Sequence, residues 1–230
     1  MLEQLKGEVC RANLMLVEEG LVVHTWGNAS GIDRARQLVV IKPSGVPYQA
    51  MKPRQMVVVS LKTGQVVRGP LKPSSDTATH LVLYRAFKSI GGIVHTHSLY
   101  ATAWAQACQA LPCLGTTHAD YWQGSIPCTR QLTDQEIESD YEANTGRVIV
   151  EAFEKLDPLG HPGVLVAGHG PFAWGRDVTE AAHNAVVMEF VARLAIETLR
   201  IEPATGALPR ALHDKHFLRK HGPRAYYGQK

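Results

Sequence analysis

Apolar residues recur at helical intervals in two long stretches of the chain. The first spans residues 2 to 18, and its apolar positions, three or four residues apart, are Leu2, Leu5, Val9, Ala12 and Leu16. This spacing predicts an amphipathic helix, which Gly20 is suited to end. The second spans residues 177 to about 201, where Ala and Val recur on one face and predict a longer helix.

Short runs rich in β-branched residues predict strands between these helices. The segments "QLVVIKP" and "QMVVVSLKTGQVV" predict antiparallel strands, and the Thr63-Gly64 pair in the second is suited to a hairpin turn. Further strands are predicted for "GGIVHTH", "SIPCTR" and "GVLVAGHGPFAWG", the last with a tight Gly-rich turn. By contrast, "TWGNASG" is interpreted as a cluster of turn residues and "GTTHADYWQG" as a loop before a strand.

Shorter helices complete the pattern. They are predicted after "PSSD", from Ser98 to about Gln109, over "TGRVIVEAFEK" and near residues 209 to 221, and "TDQE" has the residues of a capping box. Because helices and hairpin-linked strands alternate irregularly, a mainly antiparallel sheet is favoured over a doubly wound one. We therefore expect an α/β fold with three layers, α/β/α, a mainly antiparallel central sheet, and one domain over residues 1–230.

The composition is that of a folded protein of ordinary polarity. Of the 230 residues, 45% are hydrophobic and 20% are charged, which excludes a disordered or fibrous chain. We expect no membrane span and no signal peptide, since apolar runs are short and the first residues include acidic ones. The four cysteines have no CxxC spacing, so reduced thiols and a cytoplasmic protein are expected.

Positive charge is concentrated near the end of the sequence. The formal net charge is +3, and much of the excess lies in the tail "HDKHFLRKHGPRAYYGQK". Such a tail is more often a solvated face, or a site for a small phosphate ester, than a nucleic-acid surface. We therefore expect a phosphate ester as the anionic partner and no nucleic acid.

Two histidines one residue apart close the apolar strand in "GGIVHTH". Since alternate residues of a strand point to one face, His95 and His97 can approach the same ion. His169, between glycines after another apolar strand, is a third candidate, and Asp76 is either an oxygen ligand or the N-cap of a helix. Each histidine alone is compatible with a structural role, but the set suits Zn²⁺ or a similar divalent ion.

Three short turns contain residues that can surround a phosphate. They are "WGN" at 26–28, "KPSG" at 42–45 and "PSSD" at 73–76, and they offer glycine amides, hydroxyls, a lysine and a helix N-terminus. Each turn alone is more often ordinary turn chemistry. Together they are compatible with a phosphate site.

Candidate proton carriers occur in two other segments. Asp120 lies in "GTTHADYWQG" with Thr116, and Tyr227 lies in the basic tail with His216 and Arg219. An Asp or a Tyr can exchange a proton with a developing alkoxide when burial and neighbours adjust its pKa. On local grounds alone, a turn aspartate and a surface tyrosine are the simpler interpretations.

The motifs also resemble those of a known family. "WGNAS", "IKPSGV", "KPSSDTATH", "IVHTHS", "GTTHADY", "GHGPFAWG" and "LRKHGPRAYYGQ" occur in order along essentially the whole chain. Together they resemble the L-ribulose-5-phosphate 4-epimerase branch of the class II aldolase/adducin-like family. The resemblance implies the three-layer fold of that family and a cyclic homotetramer, whose active sites lie at subunit interfaces and receive the tail tyrosine from a neighbouring subunit.

The resemblance implies a role for each matching position. The zinc ligands would be Asp76, His95, His97 and His169. The residues that bind the substrate, mainly its phosphate, would be Gly27, Asn28, Lys42, Ser44, Gly45, Ser74 and Ser75, with further contacts from Thr116, His216 and Arg219. Asp120 and Tyr227 would be the acid/base pair.

The implied reaction interconverts L-ribulose 5-phosphate and D-xylulose 5-phosphate, which differ at C4. Removing the C4 proton is unfavourable, because C4 is not adjacent to the C2 carbonyl and the carbanion would have no electron sink. Deprotonating the C4 hydroxyl instead breaks the C3–C4 bond and gives glycolaldehyde phosphate and an enediolate, whose charge a divalent ion can stabilise. Re-addition to the other face of the aldehyde inverts C4, so two proton carriers are needed.

Two other functions are considered. Aldol cleavage of a sugar phosphate is the first, although the resemblance implies that aldolases of the family carry Glu where this chain has Asp76. A non-catalytic scaffold of the adducin type is the second, and the histidine set argues against it. The pathway is left open between arabinose breakdown and the breakdown of ascorbate or related sugar acids.

Overall fold

A computed structural model describes residues 2–227 of the chain. Its helices are α1 (Leu2–Glu18), α2 (Thr77–Ala86), α3 (Leu99–Gln106), α4 (Thr116–Ala119), α5 (Asp134–Glu138), α6 (Tyr141–Ala152), α7 (Val178–Ile201) and α8 (Arg210–His221). Its strands are β1 (Asn28–Asp33), β2 (Leu38–Ile41), β3 (Val57–Ser60), β4 (Val66–Arg68), β5 (Gly92–His95), β6 (Gly163–Val166) and β7 (Gly170–Gly175).

The seven strands form one sheet in the order β4-β3-β2-β1-β5-β7-β6. All six neighbouring pairs are antiparallel, so the predicted α/β fold with a mainly antiparallel sheet is confirmed. In the centre of the sheet, His95 at the end of β5 lies opposite Asn28 of β1 and Phe172 of β7. This register places the start of β1 and the end of β5 at one edge of the sheet.

The sheet lies between two layers of helices. Neighbouring strand residues point to opposite faces, as the two-residue period of a strand requires. Val40 and Val94 pack with apolar residues of α1 and α7, whereas Val39 and Ile93 pack with apolar residues of α2 and α6. Both faces are therefore buried, which produces the predicted three layers.

Three segments differ from the sequence-based expectation. The segment predicted as a turn cluster continues into strand β1, and "SIPCTR" is not a strand, since it makes only isolated bridges at Ile126 and Cys128. The predicted loop "GTTHADYWQG" begins with the one-turn helix α4. Strand β1 is polar and small because α1 packs closely on it: a Cβ on Gly31 would lie 2.9 Å from Leu5 Cδ1.

Other local predictions are confirmed. The hairpin between β3 and β4 turns at Gly64, whose φ of 74° is readily adopted by glycine. The capping box at the start of α5 is formed by Thr133 and Glu136. All four cysteines are free in the structure.

Among the described residues, 2–227, no helix combines the length and the apolar character that crossing a membrane requires.

Helix α3, which begins two residues after His97, is anchored by a carboxylate of α7. Glu189 Oε1 accepts the backbone N–H of Tyr100 at 2.8 Å, and Oε2 accepts that of Ala101 at 2.9 Å. The N-cap residue, Ser98, makes no capping hydrogen bond with its side chain. Glu189 therefore satisfies two amides that would otherwise be unpaired at this helix end.

Replacing Glu189 by Ala is expected to destabilise the protein by about 1–2 kcal/mol, because both amides lose their acceptor. Urea unfolding followed by circular dichroism measures the change. Glu197→Ala is the matched control on α7. Within the described part of the chain Glu197 pairs only with exposed Arg200, so this substitution should change stability by less than about 0.5 kcal/mol. Equal effects of the two substitutions would show that Glu189 has no special role in holding α3.

Candidate active site

Three histidines from two strand ends meet at one edge of the sheet. His95 ends β5, His97 follows it, and His169 lies in the turn between β6 and β7. The Nε2 atoms of His95 and His97 are 3.2 Å apart. One ring nitrogen from each of the three lies within 4.8 Å of the others. This is the spacing at which three imidazoles can share one ion.

Hydrogen bonding fixes the proton on the His95 ring. Its Nδ1 lies 2.9 Å from the carbonyl oxygen of Pro171, which can only accept, so Nδ1 carries the hydrogen. The lone pair is then on Nε2, which faces His97. Such a bond from the second ring nitrogen to a carbonyl is typical of histidines that ligate metals.

Burial keeps these rings neutral. It lowers the pKa of His95 to about 3, with smaller contributions from His169 and His97 in the same direction. The pKa of His169 is lowered by burial and by its neighbour His97. His97 is the most exposed of the three, and partial burial of its ring lowers its pKa as well. Neutral imidazoles whose nitrogens face one another form a donor set that fits Zn²⁺ or a similar divalent ion.

Asp76 lies beside this histidine group. It is the N-cap residue of α2, but its side chain makes no capping hydrogen bond. Instead, Oδ2 accepts a hydrogen bond of 2.5 Å from Asn28 Nδ2. Burial would raise the pKa of Asp76, but its electrostatic interactions with the nearby His95 and His80 rings and the hydrogen bond from Asn28 outweigh that effect and lower the pKa, so the carboxylate is ionised. That Asp76 is a fourth ligand stays a prediction, since among residues 2–227 the group within 4.8 Å contains only the histidines.

A pocket of about 590 Å³ opens over the histidines. It contains the four predicted metal ligands and seven of the residues predicted to bind substrate. Those seven are Gly27, Asn28, Lys42, Ser44, Gly45, Ser74 and Ser75. The three turns that the sequence marked as phosphate-binding candidates therefore meet in one place, next to the candidate metal ligands.

Backbone hydrogen bonds hold two of these turns side by side. Ser44 N–H donates to Lys72 O at 2.9 Å, and Ser74 N–H donates to Lys42 O at 3.0 Å. The third turn needs a glycine, because Gly27 has a φ of 80° and a Cβ there would lie 2.9 Å from His95 O. The result is a cradle of hydroxyls and amides around Lys42.

Lys42 is the buried cation of the pocket. Its Nζ lies 3.3 Å from Thr25 O and 4.8 Å from the centre of the Tyr48 ring. Burial lowers the pKa of Lys42, and Asp76 partly opposes this. An ammonium in a pocket that three serines also line is suited to binding a phosphate group.

Four pocket residues were not assigned a role from the sequence. They are Thr25, Trp26, Tyr141 and Glu142. Tyr141 Oη lies 3.4 Å from His169 Nδ1, and the Trp26 side chain is 56% exposed at the pocket mouth. Trp26 belongs to the "WGN" turn that the sequence indicated as a phosphate-site candidate, but no role was predicted for its side chain. Nothing in the local pattern marks Tyr141 and Glu142, which begin an amphipathic helix.

The remaining predicted site residues form a second group on α4, α8 and the tail that follows α8. This group is called here the Asp120 cluster: Thr116, Asp120, His216, Arg219 and Tyr227. Asp120 Oδ1 accepts hydrogen bonds from Arg219 Nε at 2.9 Å and from His216 Nδ1 at 3.1 Å, and Oδ2 accepts one from Arg219 Nη2 at 2.7 Å. Within residues 2–227 of a single chain, no member of the Asp120 cluster lines the histidine pocket. The structure thus divides the predicted site in two.

The Asp120 carboxylate is ionised in this cluster. Burial would raise its pKa, but hydrogen bonds from Arg219 and His216 outweigh that effect and lower it. Thr116 starts the same helical turn, and its carbonyl accepts the Asp120 N–H at 3.0 Å. The Tyr227 side chain is 55% exposed. The cluster therefore holds a buried, ionised aspartate beside an exposed tyrosine.

The fold and the two groups of residues define the class of protein. Residues 7–196 match the family described as "Class II Aldolase and Adducin N-terminal domain", and the chain belongs to this family. Over 229 residues it is 58% identical to "L-ribulose-5-phosphate 4-epimerase UlaF" of Salmonella paratyphi B, covering 100% of both chains. The protein of that name from Salmonella choleraesuis gives the same identity and coverage. The resemblance inferred from the motifs is confirmed.

Solved structures agree with this membership. A structure of "L-fuculose 1-phosphate aldolase" superposes with a TM-score of 0.78 and 27% identity, covering 93% of this chain and 94% of that one. An L-fuculose-1-phosphate aldolase from Thermus thermophilus has a TM-score of 0.70 at 21% identity, covering 89% of this chain and 100% of that one. The second similarity shows the shared fold.

Proposed function

We propose that the chain is a metal-dependent epimerase that interconverts L-ribulose 5-phosphate and D-xylulose 5-phosphate. The observation that carries the proposal is the single pocket that joins three neutral histidines to a phosphate-type cradle around Lys42. The substrate follows from the printed name of the relatives that are 58% identical over the full chain. The proposal includes one catalytic domain over residues 1–230 and a cytoplasmic location.

The pocket residues would hold the ion and orient the substrate. His95, His97 and His169, with Asp76, would hold a divalent ion, and Zn²⁺ suits a set of imidazoles with one carboxylate. When bound, such an ion supplies Lewis-acid stabilisation of negative charge on adjacent oxygens. Lys42 and the Ser hydroxyls would bind the phosphate.

Proton transfer is assigned to the Asp120 cluster. A base takes the C4 hydroxyl proton, the C3–C4 bond breaks, and the aldehyde half turns before the bond re-forms on its other face. The proton must then be returned to an oxygen that points the other way, so one carrier is needed on each side. Asp120 and Tyr227 are proposed for these roles, because a carboxylate and a phenol can both exchange protons with an alkoxide.

A single chain keeps the pocket and the proton carriers apart, which supports an assembly with shared sites. We propose a cyclic homotetramer in which the Asp120 cluster of one subunit completes the histidine pocket of the next. The half-exposed Tyr227 side chain is available for such a contact. A heterologous ring interface brings two different surfaces together at every subunit boundary.

Mixing two inactive variants tests this arrangement. His97→Asn and Asp120→Asn chains, each inactive alone, are expected to regain about a quarter of wild-type activity when co-assembled at equal amounts, because one ordered subunit pair in four joins two intact halves. The measurement is turnover of mixed tetramers purified through two different tags. Tetramers of each single variant are the controls. If mixing restores no activity, the two halves belong to the same chain.

Aldol cleavage is the second candidate, favoured by the structural similarity to an L-fuculose 1-phosphate aldolase at 27% identity. Both reactions break a C–C bond, but an aldolase releases the two halves. A coupled assay for D-xylulose 5-phosphate formed from L-ribulose 5-phosphate, with free glycolaldehyde phosphate monitored beside it, separates them. We expect the pentulose phosphate without release of the aldehyde. Release of the aldehyde in step with substrate loss would identify an aldolase.

A further inference from the structure

The guanidinium of Arg219 makes a two-pronged contact with Asp120. Nε donates to Oδ1 at 2.9 Å and Nη2 donates to Oδ2 at 2.7 Å, so both carboxylate oxygens are held in one plane. The Arg219 side chain is only 21% exposed and the Asp120 side chain only 12%. This geometry gives stronger and more directional hydrogen bonds than a single contact from lysine would.

The same arginine also holds the tail. The backbone N–H groups of Tyr226 and Tyr227 donate to Arg219 O at 3.0 and 3.1 Å, which turns the chain back over the end of α8. The Arg219 Cζ atom then lies 4.3 Å from the centre of the Tyr227 ring, within the range of a cation–π contact. Lys220 Nζ lies 5.1 Å from that ring. Asp120 and Tyr227 therefore contact one planar group from two directions.

We infer that Arg219 is a positioning residue, which holds Asp120 and Tyr227 in their relative arrangement and does not itself bind the substrate phosphate. This inference rests on the proposed function, which makes Asp120 and Tyr227 the proton carriers. The resemblance had placed Arg219 among the substrate-binding residues. Two of its donor nitrogens are committed to Asp120, and its face is covered by Tyr227, so a phosphate would have to displace contacts that the folded chain already makes.

The charged and titratable side chains that face the Asp120 carboxylate come from α8. They are Arg219, His216 at 3.1 Å from Oδ1, and Lys220. His221 Nε2 donates to the Asp120 backbone oxygen at 2.9 Å, so it braces the backbone of the residue. Because Arg219 supplies a hydrogen bond to each carboxylate oxygen, its loss changes the orientation of Asp120 as well as the charge around it.

The expected result is a loss of turnover with little loss of affinity. In Arg219→Lys and Arg219→Met, kcat should fall about tenfold to a hundredfold while KM for L-ribulose 5-phosphate changes less than about threefold. The pKa of Asp120 is low because of its partners, so removing Arg219 raises it. Activity that depends on the carboxylate is lost as the pH falls through this pKa, and the acid limb of the kcat profile should move to higher pH.

Arg210 provides a matched control on the same helix. Its Nε donates to both oxygens of Asp214 at 2.9 and 2.8 Å, but the contact is exposed and touches neither Asp120 nor Tyr227. Arg210→Met should leave kcat, KM and the acid limb within about twofold of wild type. Metal content and circular dichroism of the Arg219 variants show whether they are folded, and Arg219→Lys keeps the charge if Arg219→Met does not fold.

A tenfold or greater rise in KM, with kcat and the acid limb unchanged, would overturn the inference and make Arg219 a phosphate ligand. Titration of the Asp120 carboxyl by ¹³C NMR, identified by its absence in Asp120→Asn, gives a readout without turnover. The inference expects a higher Asp120 pKa in Arg219→Lys, and an unchanged pKa would also overturn it. Wild-type protein that does not epimerise its substrate would instead refute the proposed function, while the NMR titration still reports on Arg219.

Discussion

Replacing His95 by Ala is expected to remove the bound divalent ion and to lower kcat/KM for L-ribulose 5-phosphate by about a thousandfold or more. His95 is buried, and its Nε2 lone pair faces His97 because Nδ1 is committed to Pro171 O. Its loss leaves His97 and His169 as two imidazoles at a more exposed edge. Two imidazoles with the Asp76 carboxylate hold a divalent ion far less tightly than three imidazoles with that carboxylate.

Elemental analysis checks this result directly. Wild-type protein should carry about one divalent ion per chain, and His95→Ala much less. His183→Ala is the control, because His183 lies on α7, outside the pocket, where its Nε2 contacts Tyr121 Oη. The control should keep its metal and its turnover. A metal-free His95→Ala protein that turns over at the wild-type rate would show that the reaction needs no metal.

Replacing Asp120 by Asn is expected to lower kcat by about 10²- to 10⁴-fold while metal content stays unchanged. The amide keeps the size of the side chain but cannot take a proton from the C4 hydroxyl. The pocket histidines do not contact Asp120 within the chain, so their ion should remain. Tyr227→Phe should produce a loss of similar size, because it removes the other proton carrier.

Steady-state kinetics in both directions, with elemental analysis of the same samples, measures this effect. Asp214→Asn is the control. Asp214 is also paired with an arginine of α8, but among residues 2–227 its carboxylate makes hydrogen bonds only with Arg210 and His213. It should retain turnover within about twofold. Wild-type rates in Asp120→Asn or in Tyr227→Phe would remove that residue from the mechanism.

Much of the fold follows from local sequence patterns, but strand β1 does not. The periodic helices α1 and α7 and the β-branched strands β2 and β3 are visible in the sequence because they bury apolar residues at regular intervals. Strand β1 has no such signal, since Gly31 leaves room for the close approach of α1 and glycine has a low strand propensity. Its neighbours β2 and β5 pair with it on both sides and hold it extended. Tertiary packing decides its structure.

The candidate site is also only partly predictable from local sequence patterns. His95 and His97 could be found because strand alternation puts them on one face, and His169 because it follows a second apolar strand. That these strand ends meet depends on the pairing of β5 with β7, which no local pattern encodes. Similarly, Asp120 and Arg219 are 99 residues apart in sequence, and their contact exists only because α8 packs on α4.

Turnover of L-ribulose 5-phosphate by the purified enzyme in D₂O, followed by ¹H and ¹³C NMR, tests the central claim most directly. Epimerisation through C3–C4 cleavage never breaks the C4–H bond, so we predict D-xylulose 5-phosphate that keeps its original hydrogen at C4. Deuterium at C4 would show that the C4 proton is removed and would contradict the cleavage mechanism. Absence of D-xylulose 5-phosphate from the products of the metal-loaded enzyme would contradict the proposed activity itself.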